Sequence, residues 1–492
     1  MKRNVLRLLC IIMLLSLPSC SKASDPCFHK GKKQKDERNL VIFSTNDMHG
    51  RFDGFAKIAP IVQAEKARGN SVLLLCAGDK YTGNPIVDQH EEPGFPIVEL
   101  MNQVGYQYET FGNHEFDYGQ EVLEERMKQS AFETLCCNVE MNPKLTSLPQ
   151  PRPYTIINME GIRVCLLGIA QAQPIDNGSW LPAAHPGKLR GLTFHDPVSS
   201  ALQYRSLRDS CDVFIALTHI GTTEDIRLAE AMPELDAIIG GHSHTKIQEK
   251  TLVNGVLIAQ AECWLKYLAK TTLTLRNNKV VDKDYTLISL TKKRKEVPEI
   301  RSMIEDYKKN TIMKEAIGAV ATQFSGREDL STLMTDALIE MLDVDIAFQN
   351  SGGIRIGELK KGPVTREDIL TLNPFQNTVF IYDMTPAELR EMILRSHRKA
   401  SKRADLLPGG IRYTIFTQDD TATRVEITDI QGKPLDENRK YRVAFNSYIN
   451  SVYFIPRTCI GNEIEKTDSE LLIDYILRVR SIAPKPSRTE IR

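Results

Sequence analysis

Short apolar runs recur along the chain from about residue 39 to 290, separated by stretches with helical spacing. Leu40–Ser44, Val72–Cys76, Glu109–Phe111, Arg163–Ile169, Val213–Leu217 and Ala237–Ile239 have the length and apolar character of strands. Between them, Ile97–Val104 and Val198–Leu207 repeat apolar residues at the intervals of a helix with one buried face. Strand and helix in alternation predict a layered α/β body. Residues 292–318 change character: they are charged, mostly helix-forming, begin near Pro298 and predict a connecting helix. Ser331–Leu342 then opens a second α/β unit, with strands expected at Val344–Phe348, Thr378–Tyr382, Val425–Ile427 and Tyr441–Phe445. The expected organisation is a first domain over 39–291, a linker helix over 292–318 and a second, smaller domain over 319–492. No internal repeat or low-complexity tract interrupts it.

The first 38 residues follow a different pattern. Lys2, Arg3 and Arg7 precede an apolar stretch from Leu8 to Leu17, the layout of a secretory signal. The stretch ends in Leu17-Pro18-Ser19-Cys20, which resembles a bacterial lipoprotein box. That resemblance implies a signal peptide over 1–19, a lipid on Cys20 that attaches the protein to a membrane, and export to the periplasmic or cell-surface side; a plain signal cut nearby is the alternative. Residues 20–38 are polar, lack periodicity and predict a flexible tether.

Composition narrows the function classes. The 492 residues carry 63 Lys+Arg against 63 Asp+Glu, and loss of residues 1–19 leaves a formal charge of −3. A polybasic nucleic-acid binder is therefore excluded. At 41% hydrophobic and 26% charged residues the chain is a folded one, too long for a single ordinary core. Ten cysteines are present, without a Cys-x-x-Cys pair, which argues against a thiolate zinc site. Cys76, Cys165 and Cys211 sit in or beside apolar runs and read as core residues.

The candidate chemistry follows the apolar runs of the first domain. Asp47-Met48-His49, Gly78-Asp79, Gly112-Asn113-His114-Glu115, Thr218-His219 and Gly240-Gly241-His242-Ser243-His244 each stand just after one. In open α/β sheets ligands bind beyond the carboxyl ends of strands, so these loops are placed to converge. Asp47 and His49, like His242 and His244, are two apart and would face one way in an extended segment, whereas neighbours Asn113 and His114 would point apart. Five of the ten histidines fall in these motifs; His29, His90, His185, His195 and His397 have no such setting and read as ordinary packed or exposed residues. Carboxylate, imidazole and amide donors together suit a divalent transition metal.

These five blocks, in this order, resemble the calcineurin-like metallophosphoesterases and, within them, the 5′-nucleotidase family. The resemblance runs over roughly residues 39–460. It implies a four-layer αββα catalytic domain over 39–291 joined to a 5′-nucleotidase C-terminal, substrate-binding domain over 319–492. It also implies two divalent ions of the Zn, Mn or Co class, bridged by Asp79: one held by Asp47, His49, Asp79 and His244, the other by Asp79, Asn113, His219 and His242. His114 and Asp117 match the family's catalytic pair. In the second domain Asn350-Ser351-Gly352-Gly353-Ile354-Arg355 resembles the N-G-G-G-I-R block, implying that Asn350 meets the base and Arg355 the phosphate or ribose. Pro374-Phe375 resembles the motif whose ring stacks on the base, and Arg327 corresponds to a further substrate arginine. The chain departs from the family where an aromatic residue is usually followed by G-G-D-G: it reads Asn446-Ser447-Tyr448-Ile449-Asn450-Ser451-Val452-Tyr453, with Tyr448 as the other stacking face. The expected function is metal-dependent hydrolysis of nucleoside 5′-monophosphates. Nucleotide-sugar hydrolase, 2′,3′-cyclic-nucleotide phosphodiesterase and general phosphomonoesterase are the alternatives within the class, and a non-catalytic surface-tethered binding lipoprotein is the alternative outside it.

Overall fold

The computed structural model describes residues 37–492 apart from 176–177, 310–311, 398–403, 420, 457 and 460. The signal region, Cys20 and most of the tether lie outside the described residues. The tether is shorter than expected, because Glu37 and Arg38 already belong to the strand Glu37–Thr45, where Glu37 pairs with Arg276 and Arg38 with Leu275.

Two six-stranded sheets form the first body. One runs in spatial order Lys279–Ser289, Tyr267–Arg276, Glu37–Thr45, Ser71–Cys76, Tyr108–Thr110, Glu133–Leu135; the other runs Thr251–Val253, Val256–Ala259, Ala237–Ile239, Val213–Thr218, Ile162–Ile169, Tyr154–Met159. Strand alternation divides the apolar residues between two cores. Leu40, Ile42, Leu73 and Leu75 join Val164, Leu166 and Ile215 in one cluster, while Val41, Phe43, Val72 and Leu74 join Phe55, Ile58, Ile97 and Leu100 in the other. Sheet on sheet with helices outside is the αββα arrangement, and strands buried on both faces are why the runs read as nearly continuous apolar residues. The six expected strands of this body all form, within three residues of their expected bounds.

The expected linker helix over 292–318 is corrected. Helix occupies Pro298–Tyr307, and Ala316–Val320 is a strand paired with Gly362–Thr365. Ile300 and Ile304 are buried with Phe55 and Leu100 in the first body's outer core, and Val297 N donates to Ala56 O at 2.9 Å. Charge and helix propensity favoured one long helix; packing of its apolar face holds ten residues of it against the first body.

The second body is built on a five-stranded sheet in the order Leu406–Gly409, Ile346–Asn350, Tyr441–Asn446, Thr378–Met384, Gly461–Thr467. Helix Gly326–Leu342 lies on it and is packed beside Asp468–Val479. The strand expected from Val344 starts two residues later, since Asp343 closes the preceding helix in a left-handed conformation (φ 51°). Among the described residues no helix is long and apolar enough to cross a membrane.

Candidate active site

The carboxyl ends of five strands, three from one sheet and two from the other, bring Asp47, His49, Asp79, Asn113, His114, His219, His242 and His244 together. The convergence is achieved differently from the extended geometry expected. Asp47 (φ 48°), His49 (48°), Asp79 (53°), His242 (77°) and His244 (54°) are all left-handed, and Asn113 is helical, leading into the 3₁₀ turn His114–Phe116. Left-handed backbone costs a non-glycine residue about 1–2 kcal/mol, so the surroundings must enforce it. They do so with buried hydrogen bonds: Asp47 N to Gly78 O and His49 N to Asp79 O, both 3.0 Å, and Trp264 N to Asp47 O at 2.7 Å. Close approach adds the glycines: a Cβ on Gly112 would lie 2.1 Å from Asp79 Oδ1, and one on Gly78 would lie 2.6 Å from His219 Nδ1.

The donors fit a metal centre. His219 Nδ1 lies 2.6 Å from Ala77 O and His49 Nδ1 lies 3.0 Å from Thr82 O. A carbonyl can only accept, so each Nδ1 carries the hydrogen and each Nε2 is left to face the cluster. His219 Nε2 is buried without a hydrogen-bond partner among the described residues, 3.1 Å from Asp79 Oδ2. His49 Nε2 is 3.1 Å from His244 Nε2, which is 3.2 Å from Asp47 Oδ1. Asn113 Nδ2 donates to Ala183 O at 3.1 Å, which turns its Oδ1 toward His242 Nδ1 at 3.0 Å. The ligand atoms of Asp47, His49 and His244 lie within 4.8 Å of one another; so do those of Asp79, His219 and His242, and those of His49, Asp79 and His114.

The two buried carboxylates attract positive charge. Burial acts to raise the Asp47 and Asp79 carboxyls, yet the imidazoles, His219 first, hold both below the ordinary range. Against burial, Asp79 and Asp47 push His219 up to about 10, and Asp47 with Cys263 does the same for His244. Burial and Arg355 take His49 down to about 3, and burial and His219 take His242 to about 4. A divalent cation competes for those same lone pairs and displaces the protons.

Beside the cluster, His114 Nδ1 meets Asp117 Oδ2 at 2.6 Å across the 3₁₀ turn, as expected for a pair three residues apart. Burial opposes a charged imidazole, but Asp117 and Asp79 raise the His114 pKa. Glu115, which had no assigned role, supports the loops from beneath: it accepts from the backbone N of Asp79 and of Lys80, both at 2.9 Å. Lys80, fully buried, pairs with Glu109 at 2.8 Å and Glu115 at 3.5 Å. A second support reaches His49. Asp88 accepts from Gly83 N at 2.9 Å and from Tyr118 Oη, and Thr82 N donates to Tyr118 Oη at 3.1 Å, so the left-handed Thr82 whose carbonyl orients His49 is pinned on both sides.

The cluster opens on a cavity of about 390 Å³ between the two bodies, lined from the second body by Asn350, Arg355, Phe375 and Tyr448. The Phe375 ring lies 5.9 Å from that of His114, nearly parallel at 26°, with the Arg355 guanidinium 5.6 Å from its centre. Asn350 is buried, its Oδ1 accepting from Asn446 Nδ2 at 3.3 Å. Where the family carries a glycine-rich loop, this chain forms the helix Ser447–Val452, capped by Asn446 through Ile449 N at 3.0 Å, and Tyr448 stands on its first turn. Arg327 departs from expectation: it is exposed on the first turn of Gly326–Leu342 and lines an adjoining cavity with His49, His244 and Arg355 rather than the main one. Lys188, Asn377 and His185 also line the main cavity and were not anticipated. Lys188 lies within, and His185 caps, the one-turn helix Pro186–Leu189, which follows strands of two residues, too short to register as apolar runs.

A family model of the calcineurin-like phosphoesterases matches residues 40–246, and one of the 5′-nucleotidase C-terminal domain matches residues 310–452. The chain is 28% identical over 452 residues to a 5′-nucleotidase of Vibrio cholerae, covering 77% of this chain and 79% of that one. It is 26% identical to a trifunctional nucleotide phosphoesterase protein of Bacillus subtilis, covering 91% of this chain but spanning 34% of that longer protein. A solved 5′-nucleotidase precursor from Thermus thermophilus shares the fold, with a TM-score of 0.76 at 24% identity over 92% of this chain and 99% of that one. The chain belongs to the 5′-nucleotidase family of the calcineurin-like metallophosphoesterases.

Proposed function

We propose that this protein hydrolyses nucleoside 5′-monophosphates to nucleoside and inorganic phosphate at a centre of two divalent ions. One observation carries the reading: a cluster of metal donors and two aromatic faces suited to a base open onto the same 390 Å³ cavity. Asp47, His49, Asp79 and His244 would hold one ion, and Asp79, Asn113, His219 and His242 the other, with Asp79 shared. The chemistry such a pair supplies is a lowered pKa for water and stabilisation of the attacking and leaving oxygens of an in-line displacement. The donor set suits ions of the Zn, Mn or Co class.

The chain's own residues do the rest. His114, held by Asp117 through Nδ1, keeps Nε2 free to stabilise the phosphoryl oxygens or to give a proton to the leaving 5′-oxygen. Arg355 serves the phosphate or ribose, Asn350 the base, and Phe375 with Tyr448 stack on it; Arg327 would act from the adjoining cavity. The basic and apolar residues ahead of Cys20 support export and attachment to a membrane by lipid on that cysteine. Phosphate release from AMP, UDP-glucose, a 2′,3′-cyclic nucleotide and glycerol phosphate, with and without chelator, tests the assignment. AMP is expected to be the best of the four and its hydrolysis to stop on chelation; full-rate hydrolysis by metal-free protein would refute the metal centre.

A further inference from the structure

We propose that the cavity accepts nucleotides carrying a second anionic group on the ribose, a nucleoside 3′,5′-bisphosphate above all, and that Lys188 recognises that group. The inference rests on reading the cavity as a nucleotide site. Its two ends are marked: Asp79, Asn113, His114 and His242 belong to the metal cluster, and Tyr448 offers an aromatic face. Lys188 and His185 join those ends along one wall. Lys188 Nζ donates to the main-chain oxygen of Asp117, the residue behind His114. The His185 ring lies 6.4 Å from that of Tyr448. A nucleotide with its 5′-phosphate at His114 and its base at Tyr448 lays its ribose along this wall.

The wall is built rigidly. His185 Nδ1 accepts from Gly187 N at 3.1 Å, so its hydrogen sits on Nε2, 3.4 Å from Ser451 Oγ on the second body. Gln120 Nε2 fixes the turn from outside by donating to Lys188 O at 2.9 Å. Burial lowers the pKa of both His185 and Lys188; the ammonium adds to the shift on His185, whereas the Asp117 carboxylate opposes it on Lys188. The Asp117 carboxylate is engaged by His114 at 2.6 Å, and among the described residues no carboxylate forms an ion pair with Lys188. Its partner is a neutral carbonyl, so two of its three hydrogens face other company. A ribose hydroxyl satisfies one; an anion satisfies it with a charge-assisted bond roughly twice as strong. The reaction is unchanged: water oxygen adds to the 5′-phosphorus, the P–O5′ bond breaks and O5′ takes a proton, leaving inorganic phosphate and a nucleoside 3′-phosphate.

The test compares kcat/KM for adenosine 3′,5′-bisphosphate and for AMP in metal-loaded wild type, Lys188→Met and Lys188→Arg. The ratio within each variant is read, so general losses cancel. The expected result is a ratio of about 10 or more in wild type, a fall of about 10-fold or more in Lys188→Met, the scale of one hydrogen bond to a charged group, and recovery in Lys188→Arg. A wild-type ratio at or below one, or the same ratio in Lys188→Met, would overturn the proposal. If neither nucleotide is hydrolysed, the reading of the metal centre has failed instead; equilibrium binding of the same two nucleotides then decides the subsite, and equal affinities overturn it.

Discussion

Asn113 and His114 are consecutive, yet the amide oxygen of one turns to His242 while the imidazole of the other is held by Asp117. If Asn113 is a metal ligand and His114 a transition-state group, as proposed, this separation is what they require. His114→Ala is therefore expected to lower AMP turnover by about 10²–10³ while elemental analysis finds the metal content retained; an empty variant would make His114 a ligand. A different buried acid governs stability. Asp225 accepts from Thr218 Oγ1 at 2.6 Å, its other carboxylate oxygen has no hydrogen-bond partner among the described residues, and burial pushes its pKa up to about 7. The folded protein then binds more protons than the unfolded chain between about pH 4 and 7, so Asp225 lowers stability as pH rises through that window. Asp225→Asn is expected to flatten this slope, at most about 1.4 kcal/mol per pH unit, in urea melts at pH 5, 6.5 and 8. Parallel curves for the two proteins would show that Asp225 does not titrate there.

At the scale of elements, the proposed ligands depend on loops that are themselves tied down. Tyr118→Phe removes the hydroxyl shared by Thr82 N and Asp88 and frees the turn that aims His49. The expected outcome is about 10-fold weaker metal binding, within the usual 10–100-fold for outer-shell partners, with circular dichroism unchanged; unaltered affinity would confine Tyr118 to packing. The strands that carry the ligands were legible because parallel strands buried on both faces leave apolar runs, as Ser71–Cys76 and Val213–Thr218 do. The hairpin Tyr267–Arg276 and Lys279–Ser289 escaped notice, since its first strand mixes polar residues among its buried apolar ones and its second is the exposed edge of the sheet. The left-handed turns were illegible for another reason: aspartate and histidine are enriched at positive φ only several-fold, and here that backbone is held by partners from distant loops. His185 and Lys188 acquire meaning from Tyr448 and Asp117, contacts that no local pattern encodes.

On the scale of the whole molecule, the second body closes the cavity over the cluster with Phe375 and Tyr448, the faces proposed to hold a base. Phe375→Ala and Tyr448→Ala are each expected to cost about 1–3 kcal/mol, borrowing the value for base stacking, in kcat/KM for nucleoside monophosphates. Glycerol phosphate hydrolysis should barely change. Equal losses on both substrates would make the protein a general phosphoesterase. With helix Ser447–Val452 in place of a glycine-rich loop, acceptance of several bases is expected. The backbone of the metal cradle also bears on how the molecule resists unfolding. Aspartate and histidine visit the left-handed region several-fold more often than the few per cent typical of other non-glycine residues, yet five of them together still occur in an unfolded chain with a frequency on the order of 10⁻⁴ or below. Their side chains come, moreover, from two different sheets. The cradle cannot form ahead of the fold, so a captured ion counts almost wholly toward the native state. Each tenfold rise in free metal above its dissociation constant then adds about 1.4 kcal/mol per site against unfolding, and the strain frozen into five residues becomes a coupling between metal supply and the lifetime of the protein.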